Sequence, residues 1–489
     1  MLEDIIRARK DKLKILKDKG IDPYPSAVRR THTIDEIKKS FTTLSRDKKK
    51  VFVTGRVLGF RDQGKIIFVD LDDGTGALQA LVTRVKTKDF DTLKTTLDIG
   101  DYIEASGILI KTKKGEQSVE ARSTRIIVKS MRPIPTKHFG IEDTETRLRK
   151  RYLELILNPE TREIFRKKAI FWRTFRTTLE ENGFLEVETP VLERVPGGAE
   201  AESFITHYNA LDTDFHLRIS LEISLKKLLV GGFDKIFEIG RIFRNEGIDA
   251  EHLQDYTQLE FYWAYADYND LMKFIEKLYK RVIKTTCGTL VTEWKGQKID
   301  WSRKWQTVDY FTIFNKKTGI DLSTATISDL RKKAKESGIT TDQSLGKGRL
   351  IDLLFKKFIR PEMIQPCFLI DPPLEIEPLA KRIVGNEHKV ARFQIVACGS
   401  ELGKGFSEAN DPQDERVRFE EQMILREKGD AEAQMLDEDF LESLEYGMPP
   451  AAGFGVSERL FSLLMDKPVR ETVFFPAMKS EKINKKIND

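Results

Sequence analysis

The spacing of apolar and polar residues changes along the chain and separates its successive parts. Residues 1–45 have the pattern of a basic amphipathic helix, a proline-containing turn and a second short helix near 34–41. From 51 to about 128 the apolar period becomes two, and glycine- and aspartate-rich turns separate five short apolar runs. Short strands at such regular spacing predict a small β-barrel or sandwich.

Beyond a proline-containing, charged stretch at 131–150, helical and strand-like periods alternate. Helices are predicted over 161–182, 221–230, 269–286, most of 300–365 and from 411 to 429, and strands over 235–244, 256–265, 367–370 and 392–398. Hairpin-like strands between unequal helices favour an α+β fold with an antiparallel sheet. We therefore expect an N-terminal helical extension (1–50), a β-barrel domain (51–130), a linker (131–155) and a large α+β domain (156–485).

Composition narrows the class of protein. The 489 residues include 83 Lys plus Arg and 78 Asp plus Glu, a net charge of +5, so any contact with nucleic acid should be local. The three widely spaced cysteines argue against a disulfide framework or a zinc site and favour a reducing compartment. Because no segment has the ~18 consecutive apolar residues of a membrane span, we expect a cytoplasmic protein without a membrane association.

Two predicted neighbouring strands carry unusually many polar residues. Arg244 and Glu246 lie at the end of the first strand, and Glu260 and Tyr262, two residues apart, share one face of the second. A carboxylate beside a phenol on a sheet face is costly unless a cation binds there. The alternative is an internal salt bridge from Arg241 or Arg244 to Glu260.

Two glycine-rich segments add further charged groups. Glu401 and Glu408 flank a predicted glycine-rich turn before a helix, where two carboxylates could hold a divalent cation or an amine. Residues 452–459 lead from a glycine pair into a helix bearing Arg459, whose planar guanidinium suits phosphate. Neither a P-loop nor a Rossmann glycine pattern is present.

In their order along the chain, the helix and strand ending at Pro190, the FRNEG…EFY hairpin and the glycine-rich strand before Arg459 resemble motifs 1, 2 and 3 of the class II aminoacyl-tRNA synthetases. The pattern is most similar to that of the lysyl-tRNA synthetases. The segments that carry this resemblance are PGGAEAESFITHYNALD (196–212), LLVGGFDKIFEIGRIFRNEGI (228–248), EFYWAYADYNDL (260–271), ELGKGFSEAND (401–411), DEDFLESLEYGMPPAAGFG (437–455) and FFPAMK (474–479). Aspartyl- and asparaginyl-tRNA synthetases share the architecture but lack the PGGAEA loop and the ELGKGFSE segment.

The resemblance covers essentially the whole chain and implies both a fold and an activity. The N-terminal barrel is similar to the family's OB-fold anticodon domain, and the second part to its catalytic domain, an antiparallel sheet flanked by helices. The implied reaction is the ATP-dependent attachment of lysine to tRNA(Lys) through a lysyl-adenylate, with Mg²⁺ accompanying ATP. A homodimer, formed through helix 161–182 and the strand ending at Pro190, is also implied.

For ATP, the resemblance implies contacts from Arg244, Glu246, His252, Tyr256, Glu401 and Arg459, of which Arg244, Glu246 and Arg459 would be catalytic. Arg244 would hold the α-phosphate and the substrate carboxylate, Tyr256 would stack on adenine and Arg459 would contact the γ-phosphate. Glu401 would bind magnesium. Gln394 stands where the family usually has a second magnesium carboxylate, and a neutral amide is a weaker ligand.

For lysine, the resemblance assigns the α-ammonium group to the Gly198 backbone and Glu222, and the side-chain ammonium group to Glu260, Tyr262 and Glu408. Reasoning from the residues alone leaves Glu222 open as a solvent-facing helix residue. Lys404 replaces an asparagine that contacts the substrate in the family, and residues 456–459 appear with one residue fewer in the glycine run. Together with Gln394, these departures leave the number of magnesium ions and the phosphate geometry open.

In the barrel, Arg61, Phe68 and Gln79 correspond to the family's anticodon-reading positions. An aromatic ring on an OB face suits the stacking of single-stranded bases. The alternative for Phe68 is a core residue, because Ile66 and Ile67 adjoin it. Two other functions stay open at this point, a non-catalytic RNA-binding protein and an enzyme that lysylates proteins.

Overall fold

The structure is a computed structural model that describes residues 2–135, 143–247, 252–341, 345–377, 379–428 and 433–479. The chain divides into two compact units, Met1–Glu142 and Asp143–Asp489. None of the helices within those described ranges is long and apolar enough to cross a membrane.

The first unit is a five-stranded barrel with short helices. Its elements are α1 (Leu2–Asp18), α2 (Ile34–Lys39), α3 (Phe41–Arg46), β1 (Val51–Asp62), β2 (Ile66–Asp72), β3 (Ala77–Thr83), α4 (Phe90–Thr96), β4 (Tyr102–Lys111) and β5 (Gln117–Val128). The barrel closes in the order β1-β2-β3-β5-β4, which confirms the predicted OB-type fold. Alternate residues of β2, Ile67, Val69 and Leu71, fill the interior. Helix α4, between β3 and β4, was not predicted.

The helices of the second unit are α5 (Thr144–Arg149), α6 (Arg151–Leu157), α7 (Pro159–Glu181), α8 (Glu222–Val230), α9 (Tyr268–Cys287), α10 (Tyr310–Thr318), α11 (Ile327–Glu336), α12 (Lys347–Phe358), α13 (Pro412–Glu427), α14 (Glu438–Glu445) and α15 (Glu458–Leu464). Helices α5 and most of α6 fall in the segment predicted as a linker. The predicted helix end at Gly429 lies outside the described residues.

Its strands are β6 (Leu185–Glu186), β7 (Leu192–Glu193), β8 (Ile205–Tyr208), β9 (Thr213–Leu217), β10 (Lys235–Phe243), β11 (Asp255–Ala264), β12 (Val291–Trp294), β13 (Gln297–Asp300), β14 (Gln306–Asp309), β15 (Cys367–Ile370), β16 (Arg382–Ile383), β17 (Asn386–Val390), β18 (Arg392–Ala397), β19 (Ser400–Ser407) and β20 (Ala451–Ser457). Eight of them form one sheet in the order β14-β15-β18-β19-β20-β11-β10-β6. Pairing is antiparallel except at the two edges, β14 with β15 and β10 with β6, which confirms the predicted antiparallel sheet.

One face of this sheet is covered by the long helices α7 and α9. Rings from the helices and from the strands, including those of Phe175, Tyr279, Phe261 and Phe454, form a single aromatic-rich core there. Such rings bury large apolar areas and prefer the edge-to-face and tilted contacts found here. The helices α7 and α9 thereby leave the opposite face of the central strands for polar residues.

The glycine-rich segment around Glu401 is a strand and not the predicted turn. Residues 400–407 form β19 in the middle of the sheet, hydrogen-bonded to β18 and β20. The glycines that suggested a turn are required instead by close packing. A side chain at Gly403 would come within 2.6 Å of the Tyr279 hydroxyl oxygen.

Candidate active site

The polar face of the sheet is organised in rows that run across its strands. Glu260 on β11 pairs with Gly455 on β20, which pairs with Lys404 on β19, which pairs in turn with Gln394 on β18. Residues paired across strands point to the same face. Because β20 contributes glycine to this row, the polar groups on either side face a common space.

That space is a cavity of about 760 Å³. Its walls include all the sequence-predicted residues of the second unit except one: Gly198, Glu222, Arg244, Glu246, His252, Tyr256, Glu260, Tyr262, Gln394, Glu401, Lys404 and Arg459. The exception is Glu408, which lies just behind the wall formed by Gly453 and Tyr262. Residues distant in sequence thus converge on one site.

Glu401 reaches this face through a β-bulge. Ile395 pairs with Gly403, but the next residue of β18, Val396, pairs with Glu401, so Leu402 is an extra residue on β19. Leu402 packs into the aromatic core, and its carbonyl accepts a 2.7 Å hydrogen bond from the Tyr279 hydroxyl. Since side chains alternate along a strand, the extra residue turns Glu401 toward the cavity.

At one end of the cavity, Tyr262 on the wall and Glu408 behind it form an acidic corner. Glu408 is 1% exposed, and its Oε1 has no hydrogen-bond partner within the part of the chain that the structure describes. The Tyr262 hydroxyl donates to Glu260 Oε2 at 3.0 Å, so its oxygen lone pair can face a donor. A side chain at Gly453 would come within 2.3 Å of Glu408 Oε1 and 2.4 Å of the Tyr262 ring, so glycine is needed there.

Glu260 itself is held by neutral donors. Its Oε1 accepts hydrogen bonds from the Ser220 hydroxyl at 2.7 Å and the Leu221 backbone N–H at 3.1 Å. Arg241 pairs with Asp255 instead, so the alternative of an Arg241–Glu260 salt bridge is wrong.

Glu222, on the first turn of α8, is buried and not solvent-facing, so that alternative is also wrong. A Cβ at Gly198 would meet the Glu222 Cβ at 2.7 Å, and Gly198 has a φ of +80°, which favours glycine. The Gly198 backbone and the Glu222 carboxylate therefore lie side by side on the cavity wall, as the resemblance implied for an ammonium group.

A buried lysine that the sequence analysis missed links the two carboxylates. Lys226 Nζ lies 2.6 Å from Glu222 Oε1 and 2.6 Å from Glu408 Oε2, and its side chain is fully buried. Glu415 on α13 is buried nearby. Burial would lower the pKa of Lys226, but Glu222, Glu408 and Glu415 outweigh it and raise that pKa, so the lysine is charged.

The carboxyl groups around Lys226 are hard to ionise. Burial raises the pKa of Glu222 to about 6, although Lys226 opposes the shift, and burial raises the pKa of Glu415 to about 7. Burial likewise raises the pKa of Glu408. An additional cation between Glu222 and Glu408 would stabilise their ionised forms. The only hint of this cluster in the sequence is the i,i+4 spacing of Glu222 and Lys226 on one helix.

The other end of the cavity is cationic and aromatic. Arg244 follows β10, and its guanidinium carbon lies 5.8 Å from the centre of the Tyr256 ring. Arg459, on the first turn of α15, has Nη2 3.2 Å from His252 Nε2. Two guanidinium groups beside an aromatic ring suit a ligand that combines phosphates with a planar base.

Glu401 and Gln394 offer oxygen ligands at this end. Glu401 lies 3.4 Å from Arg360, and burial would raise its pKa, but Arg459, Lys356 and Arg360 outweigh burial and lower it. A carboxylate that stays ionised, with an amide oxygen near it, fits a Mg²⁺ ion that takes its other ligands from phosphates and water. No cluster of three or more acidic, histidine or cysteine side chains that could hold a metal occurs in the described residues.

In the first unit, the predicted anticodon residues are on the outward face of the barrel strands, where Arg61 is exposed, Phe68 is half-buried and Gln79 is buried. Arg61 pairs with Phe68 in the β1–β2 register, and its guanidinium carbon is 5.8 Å from the centre of the Phe68 ring. Gln79 pairs with Asp70 on the same face and accepts a hydrogen bond from Ser118 at 3.1 Å. Phe68 is half-buried and absent from the barrel core, so the alternative of a core residue is wrong.

Both units match known families. Residues 143–479 match the model for class II tRNA synthetases of the D, K and N group, and residues 51–134 match that of the OB-fold nucleic acid binding domain. Lysine–tRNA ligases are similar to this chain over nearly their whole length. The ligase of Roseiflexus castenholzii is 42% identical over 484 residues, which are 98% of this chain and 99% of the relative. The ligase of Moorella thermoacetica is 42% identical over 481 residues (97% and 98%), and that of Halalkalibacterium halodurans is 39% identical over 488 residues (98% and 97%). With a cavity that has acidic and cationic ends and a nucleic-acid-type barrel, the chain belongs to the lysine–tRNA ligases of the class II aminoacyl-tRNA synthetases.

Proposed function

We propose that this protein activates lysine with ATP and transfers it to tRNA(Lys) in the cytoplasm. The observation that carries the proposal is the buried Oε1 of Glu408, which has no hydrogen-bond partner within the described residues and lies directly behind Gly453 and Tyr262, on the wall of the cavity that Arg244 and Arg459 also line. A carboxylate oxygen buried without a donor is costly, and an ammonium group that reached this corner would satisfy Oε1, because Lys226 pairs only with Oε2. Lysine has such a group on its side chain.

The second ammonium group of lysine would lie against Glu222 and the Gly198 backbone. This arrangement would direct the lysine carboxylate toward Arg244 and the cationic end, where ATP would place its adenine ring on Tyr256. Attack of the carboxylate oxygen on the α-phosphorus then forms the lysyl-adenylate and releases pyrophosphate. The reaction requires no protein nucleophile, because positioning and charge stabilisation by the arginines supply the catalysis.

In this scheme Arg244 contacts the α-phosphate and the lysine carboxylate, and Arg459 contacts the γ-phosphate, with Glu246 and His252 around the nucleotide. Magnesium bound with ATP would neutralise phosphate charge, and Glu401, assisted by Gln394, would hold it. In the second step the terminal ribose hydroxyl of the tRNA takes the lysyl group from the adenylate. Each step uses charges that line the cavity.

We also propose a homodimer formed through α7 and the segment leading to Pro190. Leu185, on the strand β6 that contacts this helix, exposes an apolar side chain, and so do Val191 and Leu192 just after Pro190. Exposed apolar side chains that form a patch are typical of interaction surfaces.

The first test is ATP–pyrophosphate exchange with each of the common amino acids. We expect exchange with lysine and without tRNA, because the cavity contains the groups for both substrates. A preference for aspartate or asparagine would contradict the lysine assignment, since those side chains carry no ammonium group for Glu408. Exchange with no amino acid would contradict the enzymatic proposal as a whole.

Phe68→Ala is expected to weaken charging of tRNA(Lys) while leaving lysine-dependent exchange unchanged. A base stacked on an aromatic ring contributes about 1–3 kcal/mol, roughly 5- to 150-fold in the KM for tRNA. The matched control is Phe52→Ala, which removes another half-buried ring from the outer face of β1. Equal loss of charging and exchange in the Phe68 variant would show a structural role instead.

A further inference from the structure

Lys404 is a cation inside a cavity that we propose receives a cation. Its Nζ lies 2.7 Å from Glu377 Oε2, and its side chain is 41% exposed, whereas that of Glu377 is 7% exposed. The lysine thus stands at the cavity surface, and the glutamate that binds it is buried beneath. The arrangement leaves the direction of the Lys404 side chain dependent on Glu377.

Lys404 is within reach of the carboxylates of the acidic end. It is separated from Glu260 by Gly455 alone in their row across the sheet, and glycine places no side chain between them. Two strand spacings amount to roughly 10 Å, which a long lysine side chain and a glutamate can bridge together. The Lys404 charge already acts on Glu222, since it helps to counter the effect of burial on the pKa of that carboxyl group.

Glu377 is fitted to hold this lysine. Burial would raise the pKa of Glu377, but Lys404 and Arg392 outweigh burial and lower it, so the group is ionised. The same Oε2 atom lies 3.3 Å from Arg392 Nε, so two cations share this oxygen of the carboxylate. Glu377 follows a short 3-10 turn at Leu374–Ile376, outside the sheet, and it is the carboxylate that pairs with Lys404, since no ion pair joins Lys404 to Glu260 or Glu222 within the described residues.

We propose that Glu377 is a positioning residue that keeps Lys404 out of the amino-acid end of the cavity. The ammonium group of Lys404 has the same chemistry as the side chain of the substrate lysine. Once released from Glu377, it acts as an internal competitor for Glu260 and Glu222. This inference rests on the proposed function, because it assumes that the acidic end binds lysine.

The experiment compares lysine-dependent exchange in the wild type, Glu377→Gln, Lys404→Met and the double variant. If released Lys404 occupies the acidic end nine-tenths of the time, the KM for lysine of Glu377→Gln rises roughly tenfold. The KM for ATP is expected to stay within about twofold of the wild-type value, because competition is confined to the lysine end. The KM for lysine of the double variant is expected to equal that of Lys404→Met, because no lysine is then present at position 404 to compete.

Rescue by a second substitution separates competition from structural damage. A KM for lysine in Glu377→Gln equal to that of the wild type would overturn the inference. So would a double variant as impaired as Glu377→Gln, because Arg392 or the local fold would then be responsible. If the wild type and Lys404→Met both show no exchange with lysine, it is the proposed function that fails.

Discussion

Glu408→Gln is expected to raise the KM for lysine about 100- to 4,000-fold while changing the KM for ATP little. Removing one partner from a buried charged pair costs about 3–5 kcal/mol, and each 1.4 kcal/mol is a factor of ten. Glutamine has the size of glutamate, so the cavity keeps its shape. It presents an amide where the lysine ammonium group needs a carboxylate oxygen, and Lys226 loses one of its two carboxylate contacts.

Exchange kinetics measured at varied lysine and at varied ATP check this expectation. Glu442→Gln is a suitable control, because it makes the same substitution at an exposed position of α14. An unchanged KM for lysine in Glu408→Gln would remove Glu408 from the pocket. A parallel rise in both KM values would instead indicate a general distortion of the cavity.

The part of this site that the sequence could predict is the part set by local periodicity. The spacing of two between Glu260 and Tyr262 places them on one face of a strand, and they face the cavity as predicted. The positions of Arg244 at the end of β10 and Arg459 at the start of a helix also follow from local pattern. For these residues, secondary structure alone determines where the side chain stands.

The positions of the other residues of the site are determined by tertiary packing. Glu401 faces the cavity because of the bulge at Leu402, and the Leu402 carbonyl at that bulge accepts a hydrogen bond from Tyr279 on a helix distant in sequence. Glu377 lies in an irregular segment with no period to mark it. Lys226 carries a local signal, its i,i+4 spacing from Glu222, but an exposed ion pair on a helix surface has the same spacing. Only the packing of α8 against β11 and α14, which puts the Lys226 ammonium group against the rings of Phe406 and Phe440, distinguishes a buried pair from an exposed one.

Lys226→Met is the second substitution with a large expected effect. The KM for lysine at pH 7 is expected to rise roughly 10- to 100-fold. The charged and titratable groups around Lys226 are Glu222 on its own helix, Glu260 and Tyr262 on β11, Lys404 on β19, Glu408 after β19, Glu377, and Glu415 and Arg418 on α13. Carboxylates predominate in this set. Without Lys226 they would face one another in a buried space, and some would take up protons.

The weakening of lysine binding in Lys226→Met should depend on pH, in a direction that follows from the pKa values of the surrounding carboxyl groups. A carboxyl group with a raised pKa is ionised only above that pKa, so lysine binding strengthens as pH rises through the value of about 6 for Glu222. Removing the Lys226 charge raises the pKa of Glu222 and Glu408 further and moves this window upward. The ratio of the lysine KM at pH 6.5 to that at pH 8.5 is therefore expected to be larger in Lys226→Met than in the wild type.

Two further variants identify the cause of that change. Lys226→Arg retains the positive charge and is expected to keep the pH profile close to that of the wild type. Lys227→Met removes the adjacent lysine, which points away from the cluster and pairs with Asp439, and is expected to change neither KM nor profile. If Lys226→Met raised the KM for lysine equally at every pH, loss of packing would explain the defect. A pH-dependent defect that arginine corrects would require the charge of Lys226, because a purely structural role would not move the ionisation of its neighbours.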